Sequence, residues 1–177
     1  RTTVHEYGGG AYLVNDGIVY FSNFQDQRLY RQDAGTPEPI TPETSSRVRF
    51  SDGRITADGA AMYCVRESHP EDGGEAVNEI IRLLLDGAGE QAVIATGRDF
   101  YAAPRLSPDQ RSICWLAWDH PNMPWDTSYL ETADLDERGD ASNTRVMAGH
   151  DGVSIYQSDW GADGRLYFVS DESGWWN

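Results

Sequence analysis

Hydrophobic positions along the chain fall in short runs of β-branched and aromatic residues, partly alternating with polar ones and bounded by Gly, Asp, Asn and Pro. Such runs predict strands, because alternate side chains of an extended backbone face opposite sides of a sheet. Helical spacing is nearly absent. The one ambiguous stretch, Val77-Asn-Glu-Ile-Ile-Arg-Leu-Leu-Leu-Asp86, is confined by Gly73-Gly74 and Gly87-Ala-Gly89 to strand length and is read as a strand.

A unit recurs, marked by an Asp-centred turn followed at once by an apolar strand: Asn15-Asp-Gly-Ile-Val-Tyr-Phe21, Ala57-Asp-Gly-Ala-Ala-Met-Tyr63, Ser107-Pro-Asp-Gln-Arg-Ser-Ile-Cys-Trp115 and Ala162-Asp-Gly-Arg-Leu-Tyr-Phe168. Asp16, Asp58, Asp109 and Asp163 are spaced by 42, 51 and 54 residues, the length of one four-stranded sheet plus loops. Gly after Asp supplies the positive φ of a two-residue hairpin, and Gln110, which replaces it once, predicts a changed turn type or a longer loop. Weaker echoes mark third strands at Gln27-Arg-Leu-Tyr30, Asn78-Glu-Ile-Ile81, Thr127-Ser-Tyr-Leu130 and Trp176-Asn177. Fourth strands follow at Glu38-Pro-Ile-Thr41, an edge strand by its prolines, Gln91-Ala-Val-Ile-Ala95 and Thr144-Arg-Val-Met147.

The fold class expected is therefore all-β: a partial β-propeller of about three and a half four-stranded antiparallel blades, with TolB- or WD40-like repeats. The blades are expected at about 11–42, 47–96 and 100–148, with the start of a fourth at about 153–177. Solenoid turns are too short for such units, and sandwiches do not repeat a motif fourfold. An open ring leaves sheet faces bare, so the chain is expected to self-associate.

In an antiparallel blade the Asp turns fall at one end of the strands. His5-Glu-Tyr-Gly-Gly-Gly10, Ser22-Asn-Phe-Gln-Asp26, His69-Pro-Glu-Asp-Gly-Gly74, Asp119-His-Pro-Asn-Met-Pro-Trp-Asp126 and Ser170-Asp-Glu-Ser-Gly-Trp-Trp176 fall at the other. The residues nominated for substrate or domain contact are His5, Glu6, Tyr7, His120, Asn122, Trp125, Asp126, Trp175 and Trp176. For the three tryptophans two readings stand open, docking surface or inter-blade core.

Charge narrows the partners. Twenty-nine acidic against fourteen basic residues, a net charge of -15 over 177 residues, disfavour nucleic acid and anionic membrane and slightly favour cationic ligands. Cys64 and Cys114 sit in apolar runs with no metal-type spacing, which reads as buried free thiols in a reducing compartment, hence the cytoplasm. No apolar run reaches the roughly 20 residues of a membrane span. Catalytic motifs fail one by one. No G-x-S-x-G string exists, His5-Glu6 has Gly where a zinc-protease helix needs His, and Asp134-Leu-Asp-Glu-Arg-Gly139 breaks the EF-hand pattern at Arg138 and Arg145. Gly87-Ala-Gly-Glu-Gln-Ala92 precedes a strand and reads as a hairpin, and the four histidines read as surface residues. No catalytic residue, metal or cofactor is assigned.

The strings VHEYGGGAY, ATGRDFYAAPRLSPDQR, CWLAWDHPNMPWD and FVSDESGWWN resemble the propeller of prolyl oligopeptidase-family (S9) serine peptidases, the dipeptidyl-aminopeptidase and acylaminoacyl-peptidase-like branch, over nearly the whole chain. The resemblance implies a propeller of about seven or eight blades that caps an α/β-hydrolase domain and admits only short peptides. It also implies a Ser-Asp-His triad in that C-terminal domain, which these residues do not contain. Glu6 would then attract a peptide amino terminus, although no Glu-Glu pair of the strict dipeptidyl type is present. The expectation is a non-catalytic, substrate-gating propeller portion of a cytoplasmic serine peptidase. The rival is a TolB-like or WD40-like propeller serving only as a protein-binding platform.

Overall fold

The computed structural model describes all of residues 1–177 and contains fourteen strands and no helix, so no helix is long and apolar enough to cross a membrane. Strands β1 (Tyr12–Asn15), β2 (Ile18–Ser22), β3 (Leu29–Gln32) and β4 (Glu38–Pro39) form sheet 1 in that order. Sheet 2 is β5 (Val48–Ile55), β6 (Ala61–Ser68), β7 (Val77–Leu84) and β8 (Gln91–Ala95). Sheet 3 is β9 (Phe100–Leu106), β10 (Ser112–Trp118), β11 (Tyr129–Leu135) and β12 (Ala141–Ala148), and sheet 4 is the pair β13 (Ile155–Trp160) and β14 (Leu166–Ser170). Every pairing is antiparallel between consecutive strands. The ambiguous stretch is β7, and β4 with its proline is an outer edge strand. Trp176-Asn177 is not a regular strand, but Asn177 exchanges both backbone hydrogen bonds with Ser170, 2.9 and 3.0 Å.

Two compact units divide the chain, Arg1–Thr96 with sheets 1 and 2 and Gly97–Asn177 with sheets 3 and 4. In the first unit one face of sheet 1 (Leu13, Tyr20, Leu29) packs against Phe50, Met62, Cys64, Ile81 and Leu83 of sheet 2. In the second, Cys114, Leu116 and Leu130 of sheet 3 pack against Ile155, Trp160 and Leu166 of sheet 4, joined by Val153. Both cysteines are free and buried, and burial pushes each thiol up to about 12, so neither is a nucleophile at neutral pH.

The four Asp turns all join the first and second strands of their sheets, but they are not all alike. Asp16 (φ 48) and Gly17 (φ 78) form a two-residue hairpin closed by the Asn15–Ile18 pair, the mirror-image turn whose twist suits β-strands. Asp58, Asp109 and Asp163 instead use their carboxylates. Each accepts the backbone N–H two residues on, from Ala60, Arg111 and Arg165. Asp58 and Asp109 also accept the hydroxyls of Thr56 and Ser107, at 2.6 Å in both turns. Gln110 does not alter this geometry: it takes φ 60 at the place where Gly59 has φ 74, and its N–H bonds Ser107 as that of Gly59 bonds Thr56, 2.9 Å in both. The expected change of turn is therefore corrected. The side-chain bonds hold the turn, and a polar residue tolerates the left-handed region well enough to finish it.

The loops from strand two to strand three, and the segments leading into each first strand, lie at the end of their sheet opposite the Asp turns. At that end of sheet 3, Gly149 turns the chain with φ 92, and a Cβ there would fall on the Ser128 carbonyl, far inside contact distance. Gly149→Ala is expected to lower stability by roughly 2 kcal/mol or more, through both strain and collision. Urea unfolding followed by Trp fluorescence checks this, since all six tryptophans lie between positions 115 and 176 and report the second unit.

Candidate contact loops

In the first unit the nominated residues His5, Glu6 and Tyr7 sit on a strap, residues 2 to 10, laid over the loop end of sheet 2. Thr2 and Val4 are buried and pin it from below. His5 and Glu6 both take left-handed backbone, φ 53 and 67, and the reversal is closed by Glu6 N–H to Thr3 O (2.9 Å) and Gly8 N–H to Val4 O (2.8 Å). Two consecutive non-glycine residues in that region cost of order 1 kcal/mol or more each, so the surroundings must hold them there.

Four side chains do so. Gln27 Oε1 accepts Thr3 N–H at 2.8 Å, Glu67 Oε2 accepts His5 N–H at 2.6 Å and Asp52 Oδ1 accepts Gly10 N–H at 2.5 Å. Arg49 donates to Thr3 O (2.9 Å), Glu6 Oε1 (2.6 Å) and Glu67 Oε1 (3.1 Å), while His69 Nε2 lies 2.7 Å from Glu67 Oε1. Glu67 is buried at the end of β6 and reaches three groups at once. Glu6 leaves most of its carboxylate in solvent, and the Arg49 guanidinium holds its pKa below the usual value. Burial lowers the His5 pKa, against the charges of Glu67 and Asp52 and a bond with Asn78. Burial first, then the same two carboxylates, raises that of Tyr7.

Glu6, Glu67 and His69 bring potential metal-ligand atoms within 4.8 Å of one another. Arg49 already donates to both carboxylates and supplies the compensating positive charge, so a cation would compete with the guanidinium for the same oxygens.

The second unit carries the other nominees. Asp119 accepts Arg98 at 2.7 Å and Asp99 N–H at 2.9 Å, and His120 N–H returns a bond to Asp99 at 2.9 Å. The His120 ring stands edge-on to Phe100, 4.9 Å away, and Phe100 stacks on Trp118 at 5.4 Å. His120 precedes a cis proline. Asn122, Trp125 and Asp126 lie in the turn that follows, where Asp126 accepts Met123 N–H at 3.0 Å and returns its own N–H to Met123 O at 2.9 Å. Arg98 also donates to Glu131 (3.0 and 2.9 Å) and lies 4.4 Å over the Tyr129 ring, while Glu131 accepts Trp115 Nε1–H at 2.9 Å.

Ser154 ties this loop to the one bearing Trp175 and Trp176. Its Oγ–H donates to Pro124 O at 2.7 Å and its N–H to Asp171 Oδ1 at 2.8 Å. Trp125, Trp175 and Trp176 are all exposed, Trp175 at 81 %, and Trp176 meets the edge of Tyr156 at 6.4 Å. Arg49, Asp52, Glu67, Arg98, Glu131 and Ser154 were not among the nominees. The available signal was weak: a charge such as Glu67 or Glu131 inside an otherwise apolar strand run. In both units ion pairs brace the loops, Arg49 with Glu6 and Glu67 and Arg98 with Asp119 and Glu131.

No protein-family model matches the chain, and neither does any curated protein. Solved structures do. A puromycin-hydrolysing peptidase of Mycobacterium tuberculosis is 36% identical over 100% of this chain with a TM-score of 0.91, and a puromycin hydrolase is 33% identical over 100% with 0.92. This chain spans 30% of each of those proteins. A gluconolactonase of Xanthomonas campestris, at 16% identity over 89% of this chain and 54% of its own, has a TM-score of 0.64 and shares the fold alone. The chain is thus a segment of a β-propeller. In sequence and fold it matches part of the propeller domain of S9, or prolyl oligopeptidase-family, peptidases.

Two outcomes are expected of the strap. Glu67→Ala should cost about 3 kcal/mol of stability, because it leaves Arg49 without its buried partner, and should remove amide-exchange protection from His5. Because the folded state favours neutral His5, its contribution is complete above the ordinary value of 6.5 and is lost as pH falls below it. An NMR titration should place the His5 midpoint under 6.5, and the loss of stability between about pH 7.5 and about pH 5.5 should shrink in His5→Gln.

Proposed function

We propose that this chain is the non-catalytic, substrate-gating propeller portion of a serine peptidase whose triad lies in an α/β-hydrolase domain, with the loop ends of the sheets turned toward substrate. The observation that carries the reading is similarity over the whole of this chain, at 36% identity, to 30% of a peptidase that hydrolyses puromycin. Short peptides, and puromycin itself, are the substrates we assign to the whole enzyme. Selection would come from exclusion and orientation, as the paired charges of the loops hold their geometry before a ligand arrives.

Glu6 is the residue we expect to meet a cationic amino terminus. It is solvent-facing, ionised through Arg49, and carried on an anchored strap. Only Glu6 faces solvent, since its neighbour Glu67 is buried and bonded to Arg49 and His5, which suits a preference for a free amino group rather than a strict dipeptidyl cut. Two buried free thiols favour a reducing, cytoplasmic setting. A second reading, a propeller acting as a protein-binding platform, draws on the exposed tryptophans of the second unit.

The test is kinetic. The 177-residue chain alone should not turn over puromycin or a chromogenic peptide, and hydrolysis by it would overturn the non-catalytic assignment. In a protein carrying the hydrolase domain, Glu6→Gln should raise KM for peptides with a free amino terminus by about tenfold and leave N-blocked peptides unchanged. Equal effects on both substrates would remove Glu6 from substrate recognition, and absence of peptidase activity in that protein would favour the platform.

A further inference from the structure

The anchors of the strap in the first unit are shared, not exclusive. One nitrogen of Arg49, Nη1, donates to Glu6 Oε1 at 2.6 Å and to Glu67 Oε1 at 3.1 Å. That same Glu67 oxygen lies 2.7 Å from His69 Nε2. His69, Glu67, Arg49 and Glu6 therefore form a row in which each member competes for its neighbour. One end of the row faces solvent, since the Glu6 side chain is 77% exposed against 4% for Glu67. The other end is an imidazole, 29% exposed and so able to exchange a proton with water.

Charge decides what the row does. With the imidazole neutral, one guanidinium faces two carboxylates, and the surplus negative charge attracts an incoming ammonium group. With the imidazole protonated the charges balance, and the new cation stands within 4.8 Å of a Glu6 oxygen that the ammonium group would approach. The charged ring also draws Glu67 Oε1 toward itself, which leaves Arg49 more firmly on Glu6. The other groups facing this cluster do not offset the change. Asp52 is bonded to Gly10 N–H, Glu71 is paired with Arg47, and burial favours the neutral forms of His5 and Tyr7.

We propose that His69 is a positioning residue whose protonation, passed through Glu67 and Arg49, weakens the hold of Glu6 on a peptide amino terminus. Recognition is strong with His69 neutral and weak with it charged. The inference rests on the peptidase reading above and adds regulation to the same site. A peptide α-amino group becomes fully protonated as pH falls, so Glu6 by itself would bind it better in acid, and the row reverses that trend.

Two measurements test this. In the 177-residue chain, the Glu6 carboxyl carbon followed by NMR between about pH 7.5 and about pH 5.5 should shift with the midpoint of the His69 ring, and His69→Gln should remove that inflection. In a protein carrying the hydrolase domain, the KM of a free-amino peptide divided by that of its N-blocked form should rise about tenfold over the same interval. Division by the blocked form cancels the titration of the catalytic groups. His69→Gln should keep the ratio low throughout and His69→Lys should keep it high throughout, a response to charge that lost packing does not produce. A Glu6 resonance indifferent to His69, a ratio that follows the unmodified protein in both His69 variants, or a pH dependence abolished by His5→Gln instead overturns the proposal. Glu6→Gln separates the two failures. If it raises the ratio while the His69 variants do nothing, recognition by Glu6 stands and the row falls. If it leaves the ratio unchanged, the reading of Glu6 falls, and the proposal with it.

Discussion

A four-stranded sheet of this size has two apolar faces and no means of covering either by itself. Sheet 1 buries Tyr20 and Leu29 only because sheet 2 offers Met62 and Ile81, and sheet 3 buries Cys114 only because sheet 4 offers Leu166. Stability in such a repeat therefore resides in the interfaces between neighbours as much as in the hydrogen-bonded ladders within each sheet. Everything else in the molecule, including which loops can be elaborated, follows from keeping these faces in register.

Register is held from the Asp-turn end. Three of the four turns use a carboxylate to collect a backbone amide two residues on, which fixes where the second strand begins and hence which of its residues face forward. With that end committed to structure, the opposite end is free to vary. The loops there differ in length and content from sheet to sheet, and they hold the histidines, the exposed tryptophans and most of the charge pairs.

Those pairs convert loops into fixed surfaces. Arg49 and Glu67 hold a strap in a backbone conformation that it would not adopt alone, and Arg98, with Asp119 and Glu131, does the same for the loop after β10. A strap and a loop with little freedom left lose little on meeting a ligand. The exposed aromatic residues at the rim have the complementary property of gaining when covered.

Strand content, the fourfold repeat and the polarity of the sheets were legible in the amino acids, because alternation, turn residues and spacing are local properties. Val77–Leu84 could be read as a strand from its glycine boundaries alone, and the resemblance of the loop strings to a peptidase propeller was likewise written in the residues. Gln110 was misread, since a positive φ was assigned to glycine when side-chain bonds from Asp109 and Ser107 decide that turn. The anchors Arg49, Asp52 and Glu67 lie more than forty residues from the strap residues they bond, and nothing in their immediate neighbours announces it. Only the tertiary fold brings those charges together, because whether a carboxylate is a solvated surface group or a buried clamp depends on which distant backbone amides reach it.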